Sequence, residues 1–119
     1  MAFKSGHEDI TYIKADAAFN HNSTQTVEAN GIRGLLSVTL GAAFANGTVI
    51  DFTFTNSFIE SDSVINCCVC KNGESVSYIP MVTIPYNLAD GSCKIRVINA
   101  VGIELGADKI IHLAYEVVN

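Results

Sequence analysis

Charge is scarce in this sequence. Only 16% of its 119 residues are Asp, Glu, Lys or Arg, against about 25% in an average soluble domain. Twelve acidic and seven basic residues leave a formal net charge of −5. The basic residues are scattered from Lys4 to Lys109. Nucleic-acid binders neutralise phosphates with clustered cations, so this class is excluded. There is no Trp and there are only four Tyr, which leaves few aromatic platforms for stacking a sugar. No apolar run approaches the ~18 residues that a membrane-spanning helix needs. The opening residues, MAFKSGHEDI, lack the apolar centre of a secretory signal. Synthesis and folding in a cytoplasm, with no membrane partner, are the expectation.

Catalytic signatures are also missing. The sequence contains no G-x-S-x-G, no phosphate-binding G-x-x-x-x-G-K-[ST] and no G-x-G-x-x-G. His7, His21 and His112 are far apart, and no His-x-His pair exists of the kind that metal-dependent cupin enzymes carry. Glu60 and Asp62 flank a predicted turn, where carboxylates keep a loop soluble more often than they form a glycosidase pair. The expectation is no catalytic residue, no metal and no cofactor. The four cysteines are Cys67, Cys68, Cys70 and Cys93. CCVC does not match the C-x₂₋₄-C spacing of zinc sites. In a strand Cys68 and Cys70 share one face and Cys67 takes the other. Reduced thiols filling a core are the expected reading, with a disulfide to Cys93 as the alternative.

What the chain does contain is turn chemistry and alternation. Asn30-Gly31, Asn46-Gly47, Asn72-Gly73 and Asp90-Gly91 are strong tight-turn signals, because Gly and Asx residues tolerate positive φ. Between them, Leu36, Val38 and Leu40, then Ile50, Phe52 and Phe54, then Cys93, Ile95 and Val97, and finally Ile111, Leu113, Tyr115 and Val117 alternate with polar residues. Each run predicts a half-buried strand. Ser63 to Cys70 is apolar on both faces, which predicts a central strand or one covered by a neighbouring subunit. Val76 to Ile84 contains Pro80 and is expected to be an edge strand, a bulge or a broken strand, ending at Pro85. Thr11 to Ala15 and Gln25 to Ala29 are weaker candidate strands. About eight strands in a single domain predict an all-β, antiparallel sandwich, with a jelly roll the leading topology. Residues 34–119 would form the sandwich. Residues 1–33 would form an extended N-terminal arm or edge strands.

The stretches GTVIDFTFTNSFIESDSVI (47–65), DGSCKIRVINA (90–100) and KIIHLAYEVV (109–118) resemble small structural proteins of tailed bacteriophages, cyanophages among them. Phe52, Thr53, Thr55, Asn56, Ser57 and Ile59 fit one phrase of that pattern. Gly91, Ser92 and Asn99 fit another. The resemblance covers about two thirds of the chain and omits CCVC and residues 1–33. It implies a noncatalytic capsid cement or decoration protein, located on the virion surface. The implied partners are the major capsid protein and further copies of the chain, as a homotrimer. Phe3, Ile10, Tyr12, Ile13 and Phe19 are the candidate partner-binding anchors, unless they complete the domain's own core. The alternative is a tail or receptor-binding module for host glycans, with a pocket built from Tyr78, Tyr86 and Asp90.

Overall fold

A computed structural model describes residues 13–21, 25–72 and 81–119, excepting the side chains of Lys71 and Asn72. Eight strands follow one another: β1 (Ala17–His21), β2 (Thr26–Glu28), β3 (Arg33–Leu40), β4 (Val49–Thr55), β5 (Val64–Asn72), β6 (Met81–Ala89), β7 (Ser92–Asn99) and β8 (Ile110–Val118). No helix occurs among the described residues. Sheet A has the order β1-β3-β8-β5 and sheet B the order β2-β4-β7-β6.

The alternating runs decide the two inner faces. Leu36, Val38 and Leu40 from β3 and Ile111, Leu113, Tyr115 and Val117 from β8 point inward from sheet A. Phe52 and Phe54 from β4 and Cys93, Ile95 and Val97 from β7 meet them from sheet B. All are buried. A strand of period two can bury one face only by setting it against another sheet, which is why these residues build a sandwich. Two edge-to-face aromatic pairs sit in the core. Phe54 meets Tyr115 with ring centroids 4.8 Å apart, and Phe19 meets Phe52 at 5.0 Å.

The sandwich is therefore the expected all-β architecture, but its pairing is mixed. β1 runs parallel to β3, and β2 runs parallel to β4. The remaining pairs are antiparallel. This is not a set of eight antiparallel strands, so the structure gives a sandwich without showing a jelly roll. The chain between residues 17 and 28 passes from the edge of sheet A to the edge of sheet B and so contributes one edge strand to each. Gln25 to Ala29 contains β2 as expected, and β1 lies at residues 17–21. Of the expected strand Thr11 to Ala15, Thr11 and Tyr12 lie outside the described residues, and Lys14 makes an isolated parallel bridge to Arg33.

Three other expectations change. β5 is an edge strand, not a central one. Its Ile65, Cys67 and Val69 face the core, while Val64, Asn66, Cys68 and Cys70 are exposed. Cys68 and Cys70 are accordingly surface thiols. Only Cys93 is buried, Cys67 is half-buried, and all four are unbridged. Pro85 does not end β6 but lies inside it, opposite Ile95. An edge strand tolerates the missing donor, because one side of its backbone needs no partner. The ladder then slips between Tyr86 and Ala89, where Asn87 takes φ 53°. Of the Asx-Gly signals, Asp90-Gly91 closes a two-residue hairpin between β6 and β7, with Gly91 at φ 89°. Asn46-Gly47 turns the β3–β4 connection between sheets, and Gly47 also has positive φ. Gly31 is needed for space instead: a Cβ there would lie 2.5 Å from the Ala15 nitrogen.

Candidate interaction surfaces

The outer face of sheet B carries a side-chain network. Asp51 of β4 and Arg96 of β7 are cross-strand partners. Arg96 Nε donates to Asp51 Oδ1 at 2.9 Å, and Nη2 donates to Oδ2 at 3.2 Å. From β6, Tyr86 places its hydroxyl 3.0 Å from the same Oδ1 and its ring 5.2 Å below the guanidinium carbon. The fork-to-fork pair and the cation–π contact hold Arg96 flat against the sheet. Partial burial disfavours the Asp51 carboxylate, but hydrogen bonds from Arg96 and Tyr86 outweigh it and hold its pKa below the ordinary value. Arg96 is raised in turn, chiefly by its bonds to Asp51.

Beside this network lies an apolar row. Val49, Ile98 and Val82 stand side by side across β4, β7 and β6. Ile84 follows Val82 on the outer face of β6. Val49, Val82 and Ile84 are 45%, 47% and 40% exposed. Soluble surfaces scatter single apolar residues; adjacency across three strands is the less common arrangement. The signal was present in the sequence, since Val49 and Ile98 fall out of phase with the inward residues of their own strands. Asp51 and Arg96 carry no such signal, because charged residues at outward positions are the norm.

Two clefts open at the ends of the sandwich. One, of about 530 Å³, is lined by His21, Leu40 to Phe44 and Val49 to Asp51. His21 Nε2 lies 3.0 Å from the Asp51 carbonyl oxygen. A carbonyl only accepts, so Nε2 is the protonated nitrogen. Gly41 permits the loop to pass close, since a Cβ there would lie 2.3 Å from the His21 oxygen. The other cleft, of about 550 Å³, lies at the opposite end, between Ser57, Ile59 to Asp62, Asp90 and Gly91. One of its carboxylates holds the loop. Asp90 Oδ1 accepts from the Ser61 amide at 3.0 Å. The Glu60 amide donates to Ser63 Oγ at 2.8 Å, and the Ser63 amide donates to the Glu60 carbonyl at 2.9 Å.

On sheet A, Ser37 Oγ and His112 Nδ1 are 2.8 Å apart, as direct cross-strand neighbours. A hydroxyl bonded to an imidazole is one part of a nucleophilic site, but such a site also needs a concave pocket and oxyanion donors. This pair stands on a sheet face and lines neither end cleft. Among the described residues no group of three or more His, Cys, Asp and Glu is placed to hold a metal ion.

The candidate anchors separate. Phe3, Ile10 and Tyr12 lie outside the described residues. Ile13 is half-buried, and its carbonyl accepts from the Ile32 amide at 3.0 Å. Phe19 is half-buried and packs on Phe52, within the domain's own core. Tyr78 also lies outside the described residues. Tyr86 and Asp90 do not share a cleft, and each already has a partner within the chain. No family model, no curated protein and no solved structure matches this chain.

Proposed function

We propose that this chain is a noncatalytic virion structural protein that binds the outer capsid surface and stabilises contacts between major capsid subunits. The observation that carries the reading is the apolar row on the outer face of sheet B, in which exposed Val49, Val82 and Ile84 flank half-buried Ile98. It borders a charge pair already neutralised within the chain. An apolar surface of this kind loses water readily when covered. The low charge of the whole chain and the sequence resemblance support the same reading. Cement action requires burial repeated by symmetry rather than a reactive group, and repeated modest contacts gain strength through multivalency. The chain would act as a homo-oligomer, with the major capsid protein as its second partner.

The test is co-sedimentation with empty expanded capsids of the phage type that the resemblance indicates. The wild-type chain should saturate capsids at a fixed stoichiometry. Val82→Asp with Ile84→Asp should fold, since both side chains point to solvent, yet fail to sediment with capsids. A wild-type chain that ignores capsids would overturn the proposal. A glycan-array signal abolished by Tyr86→Ala would point instead to a tail or receptor-binding module.

A further inference from the structure

The outer face of sheet A holds two thiols that neither the core nor the proposed capsid contact uses. Cys68 and Cys70 are exposed, two residues apart on one face of β5. Cys67 and Val69 face the core instead. The ladder from β5 to β8 is regular as far as Val69, where it shifts before Lys71 pairs with His112, so Cys70 is the extra residue of a bulge. Bulges at a sheet edge re-aim a side chain. Here Cys70 Sγ lies 3.5 Å from the His112 carbonyl oxygen, turned toward β8 rather than off the edge of the sheet. Cys68 pairs with Ala114, whose methyl group leaves room beside the thiol. A groove of about 320 Å³ opens there, lined in part by Asn66, Cys68, Ala114 and Glu116.

The spacing decides what these thiols can do together. Residues two apart on a strand are separated by about 6.6 Å. A disulfide needs Cβ atoms about 3.5–4.5 Å apart, so the two cysteines cannot close on each other without bending β5. A cation held between two thiolates asks for less. With metal–sulfur bonds of about 2.3 Å, the two sulfurs stand about 4.6 Å apart, and each side chain need lean only about 1 Å toward the other.

The ligand set also selects the ion. Structural zinc takes four ligands, and iron–sulfur clusters are held by four cysteines. Among the described residues no group of three or more His, Cys, Asp and Glu is placed to hold a metal. Calcium and magnesium require oxygen ligands. Two thiolates and nothing more suit Cu(I), a soft closed-shell ion that accepts linear coordination.

We infer that Cys68 and Cys70 form a two-thiolate site for Cu(I) on the outer face of sheet A. Both sulfurs bond to the ion as thiolates, and their two protons leave to water. No electron is transferred, the copper stays Cu(I), and the occupied site carries one negative charge. Cys70 gives up its hydrogen bond to the His112 carbonyl in the exchange. The C-x-C spacing fails as a zinc motif, but a two-ligand site needs only two thiols on one face. This inference stands apart from capsid binding; either can fail alone.

The experiment titrates the reduced chain without oxygen, using Cu(I) supplied as its acetonitrile complex and bicinchoninate as the coloured competitor. The wild type should withdraw one equivalent of copper, with affinity rising as pH rises, because the ligands must lose protons. X-ray absorption should show two sulfur neighbours. Cys68→Ser and Cys70→Ser should each keep the wild-type circular dichroism, since both side chains are exposed. Each should lose at least about tenfold in affinity, the smallest effect that removing even an outer partner of a ligand brings. Sedimentation equilibrium should give the loaded and metal-free chains the same mass, because both sulfurs come from one chain. A wild-type chain that takes up no copper would overturn the inference. So would serine variants that bind as tightly as the wild type, or a mass that doubles on loading.

Discussion

Asn56 and Asn99 play matching parts at opposite ends of the sandwich. Asn56 Oδ1 accepts from the amide of Phe58, two residues on, at 2.8 Å, while its Nδ2 donates to the Gly31 carbonyl at 2.7 Å. Asn99 Oδ1 accepts from the amide of Val101, again two residues on, at 2.9 Å, while its Nδ2 donates to the Phe44 and Ile103 carbonyls at 2.9 and 3.0 Å. Both side chains are buried. Each one shapes its own turn and ties a second loop to it.

Replacing either asparagine takes a partner from half-buried backbone groups, the Phe58 amide in one case and the Val101 amide and Ile103 carbonyl in the other. Asn99→Ala and Asn56→Ala should each lower unfolding stability by about 1–3 kcal/mol, the range for unsatisfied buried polar groups. Urea denaturation measures this. Asn46→Ala is the control, because Asn46 makes a comparable bond to the Gly102 amide from an exposed position. It should cost less than either buried asparagine.

Gly34 is required by a close approach. A Cβ at this position would lie 1.8 Å from the Ala15 carbonyl oxygen and 2.9 Å from the Tyr115 ring. That same oxygen accepts the Tyr115 hydroxyl at 2.8 Å. Gly34→Ala must therefore displace backbone and break the tie between the chain before β1 and β8. The expected loss is about 1–3 kcal/mol, as for other overpacked sites, read from a shift of the urea midpoint.

The thiols should divide into two classes. Cys68 and Cys70 are exposed. Burial pushes Cys67 up to about 12 and Cys93 to about 11, so both stay protonated at neutral pH. The thiolate is the reactive form. Ellman's reagent should consume two thiols quickly in the native protein and all four in denaturant. Cys68→Ser with Cys70→Ser should abolish the fast phase alone.

Acid should weaken the outer network of sheet B. The Asp51 pKa is depressed in the folded chain below its ordinary 3.8. The unfolded chain therefore takes up this proton first as pH falls. The contribution of Asp51 is complete above the ordinary value and is lost as pH drops through the folded value. The melting temperature of the wild type should fall across that window, and that of Asp51→Asn should fall less.

The N-terminal segment offers a graded truncation. Removing residues 1–12 takes away none of the described core. Removing residues 1–21 takes away Ala15, Ala17 and Phe19, all packed against that core. The shorter deletion should leave the melting temperature near that of the wild type and the longer one should lower it. If the shorter deletion also loses capsid co-sedimentation, Phe3, Ile10 and Tyr12 are anchors on the shell.

The sequence by itself determined the strands and their inward faces. Phe52, Phe54, Ile95 and Leu113 lie where alternation puts them, because a period of two is a local property that survives any choice of neighbours. Asp90-Gly91 is equally local, and it closes its hairpin as a tight turn should. Only the tertiary structure decided which strands pair. The parallel placement of β1 on β3, the edge position of β5 and the exposure of Cys68 and Cys70 depend on contacts between residues far apart in the chain. An apolar residue such as Val64 reads the same whether its sheet continues past it or stops. The meeting of Asp51, Tyr86 and Arg96 belongs to the same category. Outward positions are free to vary in sequence, and only the assembled sheet brings three of them within hydrogen-bond reach.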